Sequence, residues 1–147
     1  MTAATCPLCA DLGGTLVFQG EKLRVIRPDE PGFPAFYRVI WTVHVAEFSD
    51  LKPDDRNLCM AAVVAVELVL REQVQPTKIN LAALGNRVPH LHWHVIARFD
   101  WDSHFPAPVW ATAVRLTDVS AVAGVAGRVA QMDLAIKSAL AALCRDV

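Results

Sequence analysis

The sequence lacks an excess of charge of either sign. Among 147 residues, 14 are Lys or Arg and 15 are Asp or Glu, so the formal net charge is −1, and no two basic residues are adjacent. Proteins that bind nucleic acid through their net charge carry basic patches or stripes and have a high pI. The sequence therefore predicts no nucleic-acid partner.

A long apolar segment is also missing. The most apolar stretch, residues 59–70, is interrupted by Glu67, and it is much shorter than the roughly 20 residues that a membrane-spanning helix needs. The first residues, up to Cys6, include neither a basic residue nor the apolar block of a secretory signal. We therefore expect a cytoplasmic protein with no membrane partner. In that compartment its four cysteines are expected to be reduced or metal-bound.

The glycine-rich loops that hold phosphate in many nucleotide enzymes are absent as well. Neither Gly-x-x-x-x-Gly-Lys nor Gly-x-Gly-x-x-Gly occurs, so a phosphate group would have to be held by other means. What is present is the composition of a folded domain, with 54% hydrophobic and 20% charged residues. No repeat or linker divides the chain. We predict one domain over residues 1–147, with an N-terminal segment over 1–14 and a C-terminal helical extension over 111–147.

The hydrophobic pattern predicts an α+β fold. Alternation indicates a β-hairpin over Thr15–Phe18 and Glu21–Arg27, while apolar residues at three- and four-residue spacing indicate a long helix that begins at Pro53 and ends before Pro76. The remaining predicted elements are strands at Phe36–Val43, Lys78–Leu81 and His90–Phe99, an irregular segment at Asp100–Trp110, and a final helix from Asp118 or Ser120 to about Cys144. This order indicates an antiparallel sheet of about five strands, with a long central helix and a C-terminal helix on one side.

Three of the five histidines fall within five residues. On a strand, His90, His92 and His94 would share one face, while Leu91, Trp93 and Val95 would face the core. An ordinary polar strand face rarely consists of histidine alone, so we interpret the row as a functional site. The row would span about 13 Å at ~3.3 Å per residue. One metal ion, with bonds of about 2.0–2.1 Å, could take at most two of the three imidazoles.

Two kinds of chemistry use such a row. In one, His90 and His92 bind a catalytic metal together with ligands from elsewhere. In the other, the middle imidazole attacks phosphorus, while a neighbouring imidazole or a strand carbonyl orients it. Neutral imidazole is nucleophilic near pH 7, because its pKa is about 6.5. The residues alone leave both interpretations open, along with a third, a nucleotide-binding module without catalysis.

The segment His90–Ile96 resembles the signature of the histidine-triad (HIT) hydrolases, His-x-His-x-His followed by apolar residues. The resemblance extends to Lys78–Asn80, Gly85–Asn86, Val88 and Arg98. The run Asp102–Trp110 is similar to a bacterial branch often described as diadenosine-polyphosphate-hydrolase-like. The resemblance implies a HIT-like fold and a homodimer. It also implies a hydrolase that cleaves a nucleoside monophosphate from a phosphoanhydride, a phosphoester or a phosphoramidate, with no cofactor required for the chemistry.

The resemblance also implies roles for individual residues. His92 would be the nucleophile that forms a covalent nucleotidyl-histidine, and His90 and His94 would position the phosphate. The transferase branch has glutamine at the position of His94, so histidine there favours hydrolysis by water. The resemblance also implies nucleotide binding by Asn80, Asn86 and Arg87. Asn80 matches a polar position of the family, whereas many relatives have glutamine at the position of Asn86 and serine or threonine at that of Arg87.

A pair of cysteines near the N-terminus, Cys6 and Cys9, has the spacing of half a zinc knuckle. In part of the HIT family such a pair binds structural zinc with a downstream histidine and the first triad histidine. The resemblance therefore implies the ligand set Cys6, Cys9, His44 and His90; the alternative is a pair of small residues that binds no metal. Trp101 and Trp110 are expected to stack on a second base, to close the dimer or to pack in the core.

Overall fold

The computed structural model describes residues 1–145, and its centre is a five-stranded sheet. The strands are β1 (Thr15–Gln19), β2 (Leu23–Arg27), β3 (Phe36–Trp41), β4 (Lys78–Ala82) and β5 (His92–Arg98). Their order across the sheet is β1-β2-β3-β5-β4, and every neighbouring pair is antiparallel. The predicted α+β class and the five-stranded antiparallel sheet are thereby confirmed. The last two residues of the predicted extension, 146 and 147, lie outside the described residues.

Four helices accompany the sheet: α1 (Pro7–Ala10), α2 (Pro53–Val74), α3 (Val119–Ala126) and α4 (Val129–Leu143). The long helix α2 begins where the sequence predicts, with Pro53 at its start and two aspartates in its first turn, where carboxylates interact favourably with the helix dipole. It ends at Gln75, whose φ of 47° is left-handed. Short 3₁₀ turns lie at Ala3–Thr5 and Phe48–Asp50.

The two faces of the sheet have different neighbours. One face packs against α2 and α4 in the main core, which includes Val25, Tyr37, Val39 and Val95 from the strands and Val66, Leu70, Met132 and Ile136 from the helices. The opposite face carries Ile26 and Ile40, which are buried against Cys6 and Leu8 of the N-terminal segment. Ile26 interrupts the polar face that the hairpin pattern predicts, and this contact explains why an apolar residue stands there.

The predicted strand His90–Phe99 begins two residues late, at His92, and ends at Arg98. The backbone N–H of His90 donates to Val88 O at 2.8 Å, and that of Leu91 donates to Val45 O at 2.7 Å. His90 therefore lies in a loop connection and not within the strand. Strand β3, predicted to reach Val43, ends at Trp41. The N–H of the next residue, Thr42, donates to Lys22 O at 2.8 Å and thus bonds outside the β3–β5 pair.

The predicted single C-terminal helix is wrong, because two helices occupy the region. α3 ends at Gly127, and α3 and α4 are bent by 43° relative to each other. Glycine costs about 1 kcal/mol relative to alanine inside a helix, which makes this position a favourable place for the break. Within residues 1–145 no single helix is long and apolar enough to cross a membrane; α3 and α4 reach that length and composition only as a bent pair.

Helix α4 is attached to the sheet by a partly buried polar cluster. The hydroxyl of Tyr37, a fully buried residue, donates to Asp133 Oδ1 at 2.7 Å. Arg27 donates to both carboxylate oxygens of Asp133 at 3.2–3.3 Å. Burial and the bond to Asp133 raise the pKa of Tyr37, so its hydroxyl remains a donor throughout the physiological range. One carboxylate thus holds two strands against the C-terminal helix.

Replacement of Asp133 should destabilise the fold. We expect Asp133→Ala to lower the free energy of unfolding by about 2–3 kcal/mol, because it leaves the Tyr37 hydroxyl without an acceptor and Arg27 without a counter-charge. Chemical denaturation measures the change. The neighbouring Leu134, which is 69% exposed, provides the control variant Leu134→Ala. Equal stability of the two variants would contradict this role for Asp133.

Candidate functional site

Two of the three predicted catalytic histidines lie side by side on strand β5. His92 and His94 project from the face opposite the main core, and their ring centroids are 4.9 Å apart at an interplanar angle of 79°. Both residues are buried, with 8% and 5% of their surfaces exposed. Strand alternation produces this arrangement, because residues two apart share a face.

The hydrogen bond of His92 defines which of its nitrogens can react. His92 Nδ1 lies 2.6 Å from the backbone carbonyl oxygen of His90. A carbonyl can only accept a hydrogen bond, so Nδ1 carries the hydrogen. In the neutral ring Nε2 then has the free lone pair. Burial lowers the pKa of His92 despite this hydrogen bond, which keeps the ring neutral near pH 7.

His94 lies in an aromatic environment beside His92. Its ring makes edge contacts with Phe36 and Trp110, at centroid distances of 5.5 and 5.0 Å. Burial, together with the smaller effects of the nearby His92 and Arg38, lowers the pKa of His94 to about 3. Its Nδ1 atom is buried and has no hydrogen-bond partner among the described residues.

An open cleft of about 800 Å³ lies over the two histidines. The sheet contributes His92, His94 and Arg38 to its lining, and the loop before β5 contributes Asn86 and Arg87. Trp110 from the segment after β5 and Leu8, Asp11 and Gly13 from the N-terminal side complete it. Drug-sized and cofactor-sized ligands bind in clefts of about 300–1,000 Å³. The predicted residues Asn86 and Arg87 thus share a cleft with His92 and His94.

Asn80, the third predicted nucleotide-binding residue, points elsewhere. Its Oδ1 accepts a hydrogen bond of 2.7 Å from Arg98, and Asn80 is not among the residues that line the cleft. The same guanidinium pairs with both carboxylate oxygens of Asp102 at 2.8 and 3.0 Å, and both of these charged residues are buried. Asn80 therefore belongs to a structural network, and we do not include it in the site.

The Arg98–Asp102 pair organises the irregular segment that follows β5. Asp102 accepts backbone N–H bonds from three residues of the segment, Phe99, His104 and Phe105. Arg98 also donates to the carbonyl of Ala107 at 2.8 Å. These bonds shape the chain that brings Trp110 to the cleft. Trp101 instead stacks on Phe99 at 4.6 Å and packs against the core.

The remaining triad histidine, His90, belongs to a second cluster. Its Nδ1 lies 3.4 Å from both Cys6 Sγ and Cys9 Sγ and 3.3 Å from His44 Nδ1. The predicted row of three imidazoles on one strand face is therefore wrong for His90. The four predicted metal ligands do come together, and their candidate ligand atoms all lie within 4.8 Å of one another.

The geometry of this cluster suits a tetrahedral zinc ion. Bonds of about 2.0–2.1 Å to nitrogen and 2.3 Å to sulfur imply edges of roughly 3.3 Å between two nitrogens and 3.5 Å between nitrogen and sulfur. The observed separations are 3.3 Å for His44–His90 and 3.5 Å for Cys9–His44. His90 Nε2 donates to the carbonyl oxygen of Trp41 at 2.6 Å, so its Nδ1 lone pair points into the cluster. The donor set thus fits zinc.

Sequence reasoning assigned no role to Arg38, which lies in the cleft. The signal available in the sequence was a charged residue within a strand of apolar residues, on the same face as Phe36 and Ile40. The structure adds that Arg38 lies opposite His94 in the pairing of β3 with β5. A charged side chain on the face that carries the histidines indicates a site residue. Trp110 was left with several possible roles, and the structure places its side chain in the cleft.

The low pKa of His94 predicts a pH-dependent stability. The unfolded chain protonates this residue near pH 6.5, whereas the folded chain does so only at about 3. The stability that neutral His94 provides is complete above the unfolded value and is lost as the pH falls towards the folded value. Between pH 7.5 and pH 5 we expect a loss of about 1–2 kcal/mol from this residue, measured by urea denaturation. His94→Gln should lose less over the same interval; equal losses would contradict the assignment.

Comparison with known proteins agrees with these observations. The HIT domain model matches residues 12–101. A histidine triad protein from Bradyrhizobium japonicum is 26% identical, with a TM-score of 0.67 over 82% of this chain and 91% of that one. A histidine triad protein from Marinobacter aquaeolei VT8 is 22% identical, with a TM-score of 0.70 over 90% and 92%.

A third similar structure is a zinc-bound histidine triad family protein from Mycobacterium smegmatis, which is 18% identical, with a TM-score of 0.60 over 99% of this chain and 100% of that one. No curated protein sequence matches the chain. The HIT domain match extends from the N-terminal segment past β5 and covers more than half of the chain. Together with the paired histidines on β5, it shows that the chain belongs to the histidine triad (HIT) domain family.

Proposed function

We propose that the protein is a nucleotide hydrolase that forms a covalent nucleotidyl-histidine at His92. The observation that carries this proposal is the 2.6 Å bond between His92 Nδ1 and the carbonyl oxygen of His90. It leaves Nε2 as an unprotonated nitrogen on a residue that lines an open cleft. An oriented neutral imidazole is a nucleophile for phosphorus at pH 7.

The proposed reaction has two steps. In the first, His92 Nε2 forms a bond to the phosphorus of the nucleoside monophosphate, and the bond to the leaving group breaks with its electron pair. In the second, a water oxygen attacks the same phosphorus and the water releases one proton to solvent. The phosphorus–nitrogen bond breaks with its electron pair returning to Nε2, so the monophosphate leaves and neutral His92 is restored. Splitting one displacement in this way replaces a difficult step by two easier ones.

His94 and the loop before β5 would hold the phosphate oxygens. His94 lines the cleft next to His92, and an anionic oxygen beside its ring would favour the protonated, donating form. Asn86 and Arg87 line the same cleft, and both side chains offer N–H donors. Donors aimed at the equatorial oxygens stabilise the charge that develops in the transition state. His90 would contribute through its carbonyl, which orients His92.

The alternative of a catalytic metal held jointly by His90 and His92 has less support. His92 Nδ1 is bonded to a carbonyl, and His90 Nδ1 lies among Cys6, Cys9 and His44. The Nδ1 atoms of the two rings therefore have different partners, and they are not available to bind one metal ion together. A nucleotide-binding module without catalysis would use the same cleft, and a turnover measurement separates it from a hydrolase.

Removal of the nucleophile should abolish turnover. We expect His92→Asn to reduce hydrolysis of a diadenosine polyphosphate or of adenosine phosphoramidate by at least about 10³-fold, since the covalent step is lost. His104→Asn is the matched control, because His104 bonds to Ser103 and does not line the cleft. Acid-quenched wild-type protein should contain nucleotide on His92, detectable by mass spectrometry. Turnover by His92→Asn at the wild-type rate would contradict the proposal.

We also propose that Cys6, Cys9, His44 and His90 bind one structural zinc ion. The tetrahedral separations within the cluster support this, and the zinc-bound relative from Mycobacterium smegmatis is consistent with it. When bound, zinc would supply folding stability by joining the N-terminal segment, the loop after β3 and the loop before β5. The proposed hydrolysis does not pass through the ion.

Metal analysis tests this second proposal. Purified protein should contain about one zinc per chain, and Cys9→Ser should contain much less and unfold at a lower temperature, because one of the four ligands is lost. Cys144→Ser, which lies outside the cluster, should keep the full zinc content. Equal zinc content in both variants, or no zinc in the wild-type protein, would contradict the assignment.

Three narrower expectations from the sequence stay predictions: the diadenosine-polyphosphate-hydrolase-like branch, the homodimer and the cytoplasmic location. Strand β4 lies at one edge of the sheet, and Leu81 on it and Leu84 after it are more than a third exposed. An exposed edge of this kind can pair with a second copy, which supports the proposed homodimer.

A further inference from the structure

Arg38 stands directly beside the proposed reaction centre, and the mechanism above does not use it. It lies opposite His94 in the antiparallel pairing of β3 with β5, and it lines the cleft together with His92. Side chains directly opposite each other on one face of a sheet have Cβ atoms about 4.5–5.5 Å apart. The guanidinium is therefore within reach of a group bound next to the two histidines.

The hydrogen-bonding capacity of Arg38 is largely unused within the chain. Its Nε is buried and has no partner among the described residues. Within residues 1–145 its one ion pair is a single 3.4 Å contact with Glu30, whose side chain is 38% exposed. By contrast, Arg98 on the same face of the sheet donates to Asp102, Asn80 and Ala107. A guanidinium offers five donors, and the contact with Glu30 engages one of its terminal nitrogens. Because Arg38 also lines the cleft, its guanidinium is positioned to receive an acceptor from outside the chain.

The surroundings hold this guanidinium in place and favour an anion. The Arg38 guanidinium carbon lies 5.7 Å from the centre of the Phe36 ring, which supports one side of it. Within the cleft lining, Arg38 and Arg87 bring two positive charges against the single carboxylate of Asp11. Planar guanidinium groups bind phosphate oxygens in a bidentate manner.

We propose that Arg38 forms a subsite for a second phosphate group of the substrate, next to the phosphate that His92 attacks. In a phosphoanhydride one bridging oxygen joins consecutive phosphates, so a chain of two or more phosphates places a second anion beside the first. A phosphoramidate or a simple monophosphate ester has no such group. The inference rests on the proposed function and narrows its substrate class to nucleotides with at least two linked phosphates.

Calorimetric titration with two uncleavable probes tests the subsite. Both probes are used in magnesium-free buffer. AMP has one phosphate group, whereas α,β-methylene-ADP has a second phosphorus group joined to the first through a methylene carbon. We expect wild-type protein to bind α,β-methylene-ADP about tenfold more tightly than AMP, because a bidentate guanidinium–phosphate contact is strong. Arg38→Gln should reduce this ratio to about twofold or less. Arg71→Gln, at an exposed helix position, is the matched control and should keep the wild-type ratio.

A second variant tests the same subsite in the opposite direction. Glu30→Gln removes the one carboxylate that pairs with Arg38, so it should raise the affinity for α,β-methylene-ADP relative to AMP by about threefold. This outcome does not depend on whether Arg38→Gln folds. If the Arg38–Glu30 pair is purely structural, the ratio of the affinity for α,β-methylene-ADP to that for AMP will be the same in the wild type and in all three variants. That result would overturn the inference.

Parallel assays separate this inference from the proposed function. A wild-type chain that neither hydrolyses nucleotides nor forms nucleotidyl-His92, but shows the Arg38-dependent ratio, would contradict the hydrolase and support the subsite. A wild-type chain that turns over nucleotides and binds both probes equally would support the hydrolase and contradict the subsite. Equal weakening of both probes by Arg38→Gln would place Arg38 on the attacked phosphate and overturn the inference.

Discussion

The hydrogen bond between His92 Nδ1 and the carbonyl oxygen of His90 is the constraint on which the site depends. It selects the protonated nitrogen of His92 and leaves the other for chemistry. His90 can present this carbonyl because its own ring is held on both sides, by Trp41 O at Nε2 and by the Cys/His cluster at Nδ1. The candidate zinc site and the candidate catalytic His92 are therefore adjacent and both depend on His90. The ring of His90 belongs to the cluster, and its carbonyl orients His92.

Burial gives the site its second property. Because His92 and His94 lie almost entirely out of water, their pKa values fall below the usual range and both rings stay neutral near pH 7. Neutrality makes His92 nucleophilic, and His94 beside it is neutral as well. Burying these polar rings is unfavourable in free energy. The apolar packing of the other face of the sheet against α2 and α4 offsets it.

The walls of the cleft depend on interactions far along the chain. The N-terminal wall is held by Arg24, which donates to the carbonyls of Leu8 and Asp11. The opposite wall is held by the buried Arg98–Asp102 pair, which shapes the segment that ends at Trp110. In this arrangement Arg24 and Arg98 stabilise the fold, whereas Arg38 lines the cleft itself.

Local patterns in the sequence predicted most of the fold and part of the site. Period-two alternation located the strands, three- and four-residue spacing located α2, and the Cys6–Cys9 spacing together with a family resemblance led to the correct four-residue cluster. Nonlocal contacts explain the failures. The His90 ring leaves the row of histidines because Trp41 O and the two cysteine sulfurs hold it. Asn80 turns to Arg98. Arg38 became visible as a site residue only when pairing across the sheet placed it beside His94.

The tautomer of His92 is the most direct test of the account. Nitrogen-15 NMR of the ring in the nucleotide-free protein, at a pH where the ring is neutral, reports which nitrogen carries the hydrogen. The account predicts hydrogen on Nδ1 and a free lone pair on Nε2. A ring with hydrogen on Nε2, or one that exchanges evenly between the two forms, would contradict the claim that the His90 carbonyl prepares His92 for attack on phosphorus.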